Sequence, residues 1–128
     1  MNIDLKNADA TTLTPGWLNG HLGPEHGPDG AAAVLFTYAL SVMTNWSKAW
    51  RAATAAARPG RRVAVVDLRT PTGTATAMAP LASLACMLGG SDITAHPWTA
   101  LERDCTDVQI WSLRGGHIQV RAGTLNKP

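Results

Sequence analysis

The feature that most constrains this chain is a pair of apolar runs set around one helix-length segment. "AAVLFTY" (Ala32 to Tyr38) and "RVAVVDL" (Arg62 to Leu68) are near-continuous in apolar residues, many of them β-branched or aromatic. Runs of this kind suit strands buried on both faces of a parallel sheet. Between them, "NWSKAWRAATAAAR" (Asn45 to Arg58) has helical spacing. Trp46, Ala49, Trp50, Ala53 and Ala57 share one face, while Arg51, Thr54 and Arg58 lie away from it. Asn45 is placed to cap the start of that helix and Pro59-Gly60 to end it. Strand, helix and strand joined this closely form a βαβ unit, which sets the two strands parallel with a right-handed crossover. The paired tryptophans then belong to the core.

The end of the chain changes character. "DVQIWSL" (Asp107 to Leu113) and "HIQVRAGT" (His117 to Thr124) alternate and are joined by "RGG", the pattern of an antiparallel hairpin. Between the βαβ unit and the hairpin, Met78, Leu81, Ala82, Ala85 and Leu88 make an apolar helical stripe that stops at Gly89-Gly90. "HPWTALERD" (His96 to Asp104) reads as a short helix with Pro97 in its first turn and His96 as a boundary residue. At the start, Asn2 to Lys6 alternates as a short strand would. Thr14 to Gly30 is dense in Gly and Pro and reads as loop. His21, Glu25, His26 and Asp29 fall there, but such a loop does not fix ligand geometry, so no metal site is expected. The fold class that follows is α/β, with parallel strands and a C-terminal antiparallel hairpin.

Composition removes several function classes. With 128 residues the chain is one domain, and 45% hydrophobic against 16% charged residues argues against disorder. A net charge of +2, with Lys and Arg dispersed, gives no basis for nucleic-acid binding. "MNIDLKNADATTL" lacks the layout of a signal peptide, and the longest apolar run, Ala31 to Met43, is too short for a membrane span. A cytoplasmic location is expected, with Cys86 and Cys105 reduced and free of any C-x-x-C pairing.

Four stretches together carry a family likeness. They are "NADATTL" (Asn7 to Leu13), "VLFTYALSVMTNW" (Val34 to Trp46), "AARPGRRVAVVDL" (Ala56 to Leu68) and "RGGHIQVRAGTL" (Arg114 to Leu125). Their order resembles the C-terminal half of a class I S-adenosylmethionine-dependent methyltransferase, a Rossmann-like sheet whose terminal hairpin inserts the last strand antiparallel. The resemblance implies S-adenosyl-L-methionine as cofactor. Asp9 would accept from the adenine amino group, and the Ala10 backbone would meet the ring edge. Thr37, Tyr38 and Ala39 would line the methyl-transfer face, with Tyr38 either positioning a nucleophile or packing under a loop. Asp67 and Arg69 would orient a polar substrate or be satisfied by each other and by backbone. The "HPW…LE" and "RGGHI" segments also resemble bacterial N-methyltransferases of lipid amines and related small molecules.

One departure from the family is plain. No G-x-G-x-x-G occurs in the sequence, and only six residues precede Asn7. Residues 1–30 would then be a remnant strand and a Gly/Pro-rich loop, and residues 31–128 the C-terminal half of a methyltransferase-like domain. The expectation is a truncated chain, inactive alone, acting on a small molecule or lipid amine if complemented. The strand Ala32 to Tyr38 would keep an open edge. Asn2 to Lys6 could slide beside Val34-Leu35-Phe36, or the edge could take a second copy or a complementary chain. Two alternatives stand beside this reading: a non-catalytic interaction module built on that edge, and an unrelated small α/β binding domain.

Overall fold

The computed structural model describes residues 5–21, 30–92 and 94–126. Four strands, β1 (Ala31–Thr37), β2 (Ala57–Leu68), β3 (Cys105–Leu113) and β4 (Ile118–Leu125), form one mixed sheet in the order β1-β2-β4-β3. β1 and β2 are parallel, and β4 runs antiparallel to both of its neighbours. The βαβ unit and the terminal hairpin are thus both present. The helices are α1 (Pro15–His21), α2 (Trp46–Ala55), α3 (Ala79–Leu88) and α4 (Trp98–Asp104).

Several boundaries depart from expectation for identifiable reasons. α1 replaces part of the expected loop: Pro15 sits at the first helical position, and Thr14 Oγ1 accepts the Trp17 N–H at 3.0 Å as a cap. Of the residues weighed there as metal ligands, Glu25, His26 and Asp29 lie outside the described residues. His21 is exposed and stacked on Trp17. Pro59-Gly60 does not end the α2 helix, which stops at Ala55; it falls inside β2. There the register jumps from Ala31↔Ala57 to Ala33↔Arg62, so residues 58–61 bulge out of the ladder. Gly30 permits this start, since it has φ 97 and a Cβ on it would collide with the Ala56 carbonyl. Of the expected strand at Asn2 to Lys6, residues 2–4 lie outside the described residues; Leu5 is 88% exposed and unpaired in the sheet. Neither Leu5 nor Lys6 pairs with β1.

Burial separates the two faces of the sheet. Phe36, Val63 and Val65 pack with Leu40, Trp50, Trp98 and Leu101 in one core beneath α2 and α4. Phe36 and Trp50 rings lie 5.7 Å apart, so Trp50 takes the core place its helical spacing assigned. Arg121 is buried on the same face, paired with Glu102 at 2.6 Å and set over the Trp98 ring. Cross-strand partners share a face, and on the other one Leu35, Trp111 and Leu113 are 66%, 45% and 52% exposed. α3 differs again: Met78, Leu81 and Leu88 of the expected core stripe are exposed, and among the residues of α3 only Cys86 is buried.

Candidate functional site

Open α/β sheets bind ligands outside the carboxyl ends of their parallel strands. Here those ends are Thr37 on β1 and Leu68 on β2. The Tyr38 N–H donates to the Val66 carbonyl at 2.8 Å, extending the ladder one residue past β1. Tyr38 then turns at φ 50, a left-handed conformation uncommon for a ring-bearing residue. Leu40, fully buried, anchors the short helical turn Leu40–Val42 that follows. Tyr38 itself is 43% exposed, so it reaches solvent.

A buried carboxylate holds that turn in place. Asp67, with no exposure, accepts the Ser41 N–H through Oδ2 at 3.0 Å and the Leu68 N–H through Oδ1 at 2.9 Å. Ser41 is gripped from its other side as well. Ser91 Oγ donates to Ser41 Oγ at 2.8 Å, and the Asp92 N–H donates to the Ser41 carbonyl at 2.7 Å. Burial first, and then the negative charge of Asp67, push the Cys86 thiol above its ordinary range. Beside this network lies a cleft of about 300 Å³ lined by Ser41, Met43, Thr44, Trp46 and Asp92.

The seven residues singled out in the sequence sort into three groups. Thr37, Tyr38, Ala39 and Asp67 meet at one place, but Asp67 positions the loop and offers no exposed oxygen. Arg69 is the first residue beyond β2 and is exposed. Its main chain is tied to His117: the Arg69 N–H donates to the His117 carbonyl at 2.8 Å, and His117 Nδ1 lies 2.6 Å from the Arg69 carbonyl. A carbonyl only accepts, so Nδ1 carries the proton and Nε2 stays free. Asp9 and Ala10 lie on the short turn that packs on α2. The Asp9 carboxylate caps that turn by accepting the Thr11 N–H at 2.8 Å, which holds its pKa below the ordinary value.

Ser41, Ser91, Asp92 and His117 were not singled out in the sequence. Their contacts span 26 to 51 residues and leave no local pattern. Among the described residues no group of His, Cys, Asp or Glu could hold a metal ion, and no helix is long and apolar enough to cross a membrane.

No family model matches the sequence, and no curated protein matches it. Among solved structures, the chain is similar to a protein of Bordetella parapertussis described as a possible exported protein. The similarity covers 94% of this chain and 43% of that one, with a TM-score of 0.59 and 14% identity. At that identity the likeness is one of fold alone. This chain spans less than half the length of that protein.

Proposed function

We propose that this chain is the acceptor-side half of a class I S-adenosylmethionine-dependent methyltransferase-like domain. The observation that carries the reading is the sheet order β1-β2-β4-β3, with β4 antiparallel between two strands of the opposite direction. It is the order that the resemblance of the four sequence stretches implies for a Rossmann-like methyltransferase sheet. The loop of Tyr38 to Val42, pinned by Asp67, then forms the acceptor face. The chain's own contribution is alignment and exclusion of water, which suits a reaction whose methyl donor is already activated.

On their own, the residues present do not fit the cofactor. Asp9 already serves the Thr11 N–H, and the sequence contains no glycine-rich strand-to-helix turn. Lacking two charge-assisted hydrogen bonds would weaken binding by roughly 3–6 kcal/mol, on the order of a hundredfold to ten-thousandfold. Strands that complete such a cradle belong along the free edge of β1, which pairs only with β2 among the described residues. Calorimetric titration with S-adenosylhomocysteine tests this half-site. Binding weaker than millimolar is the expected result, and micromolar binding would overturn it.

The same edge favours a second reading, in which the chain is an interaction module that pairs through β1. The observation behind it is that β1 pairs on one side alone, with β2, among the described residues. Sedimentation equilibrium of the chain and of Leu35→Pro separates the two readings. A dimer lost on the substitution supports edge pairing, and a monomer in both cases removes it.

A further inference from the structure

A groove of about 420 Å³ lies between α3 and the β3–β4 turn, apart from the cleft beside Ser41. Met78, Leu81, Ala82 and Ala85 give it an apolar wall, and Arg114 and His117 are its polar lining. The turn that closes it is set by glycines. Gly115 and Gly116 have φ 62 and 83, and a Cβ on Gly115 would lie 2.5 Å from that of Ala75. One on Gly116 would collide with Thr72 Oγ1. The Thr72 N–H donates to the Gly115 carbonyl at 2.9 Å, which fastens the segment before α3 to the hairpin. The groove is therefore a built feature of the fold, and yet Met78 and Leu81 are 55% and 59% exposed in it.

We propose that this groove binds a single-chain amphiphile, with its aliphatic chain along α3 and an anionic head at Arg114. The groove shares no lining residue with the Tyr38 to Val42 face, so the proposal stands independently of the acceptor-side reading above. Three observations select this occupant. The volume lies in the range of small-molecule sites, which are concave and mostly apolar with few polar groups. Met78 and Leu81 offer an adaptable surface to a flexible chain. The Arg114 guanidinium has no ion pair or hydrogen bond among the described residues, so it keeps its charge for a ligand. His117 adds a polar atom, since its Nδ1–H is committed to Arg69 and Nε2 is not.

Calorimetric titration with octanoate, decanoate and dodecanoate, below their micelle concentrations, tests the proposal without any cofactor present. A failed S-adenosylhomocysteine experiment therefore leaves this one interpretable, and the reverse also holds. Affinity should rise about fourfold per methylene until the groove is filled. Decyl phosphate should bind within about tenfold of decanoate, and decyltrimethylammonium at least about tenfold more weakly. Arg114→Gln should bring the anionic and cationic probes to within about threefold of each other. Ala82→Phe, which fills the groove, and Met78→Glu, at an exposed wall position, should each weaken decanoate binding at least about tenfold. Either variant with an unchanged circular dichroism spectrum suffices as the test. Affinity independent of chain length, equal binding of the cationic probe, or full binding by Met78→Glu would overturn the proposal. So would a dimer that Met78→Glu dissociates while decanoate leaves it intact, because the groove would then belong to a second copy.

Discussion

Asp67 Oδ2 accepts the Ser41 N–H at 3.0 Å, so the acid at the end of β2 fixes the loop that leaves β1. Both oxygens of that buried carboxylate serve backbone donors, Ser41 on one side and Leu68 on the other. Removing the acid strands two N–H groups, one of them fully buried. Asp67→Ala should destabilise the fold by about 3 kcal/mol, and Asp67→Asn by roughly half of that, since an amide oxygen still accepts. Urea unfolding monitored by tryptophan fluorescence reads both values.

At the amino-terminal end of the sheet, Asp104 accepts from Arg103 at 2.6 and 2.8 Å and from the Trp50 indole at 2.8 Å. The Arg103 hydrogen bonds, against a smaller opposing effect of burial, hold its carboxyl below the ordinary value, and Trp50 adds to this. A carboxyl held low binds a proton less readily when folded than when unfolded. Its contribution is therefore complete above the ordinary carboxylate range and is lost as pH falls through that range into the lowered value. Between about pH 6 and about pH 3 the urea midpoint should fall further for the native chain than for Arg103→Gln. Equal slopes would mean that Arg103 does not set the titration.

Gly123 lies on β4 opposite the start of β3, beside the register shift between Thr106 and Gln109. A Cβ there would lie 2.7 Å from that of Cys105, which is buried, and 3.2 Å from the Thr106 carbonyl. Gly123→Ala should cost about 1–3 kcal/mol of stability. A thermal unfolding scan against the native chain provides the comparison.

The free edge of β1 makes a prediction at single-amide resolution. The Tyr38 N–H points to β2, and alternate residues of a strand point the same way, so the Phe36 amide faces β2 and the Leu35 amide faces out. Hydrogen exchange should be much faster at Leu35 than at Phe36 in a monomer. Equal protection would show that a strand from elsewhere occupies the edge.

The parts of this fold that the sequence made legible are those whose signal is local. Ala32 to Tyr38 and Arg62 to Leu68 announce strands because burial needs apolar residues in a row, and "RGG" announces the hairpin because only a tight turn fits there. α1 escaped because Gly16 and Gly20 resemble loop residues, whereas Thr14 and Pro15 in fact start a helix. The β2 bulge escaped because Pro59-Gly60 breaks a helix as readily as it bends a strand. The exposed stripe on α3 shows the limit of periodicity, which says which residues share a face but not what covers it. In the candidate site, Tyr38 and Asp67 were visible as strand-end residues. The role of Asp67 depends on Ser41 and Ser91, which only the tertiary fold brings together.

The measurement that tests the central claim most directly is a titration of the chain's backbone amide NMR spectrum with S-adenosylhomocysteine to several millimolar. The acceptor-side reading expects weak, unsaturated shifts confined to Ala10, Thr37, Tyr38, Ala39 and Ser41. No shift at these amides, or shifts centred on another part of the surface, would contradict it.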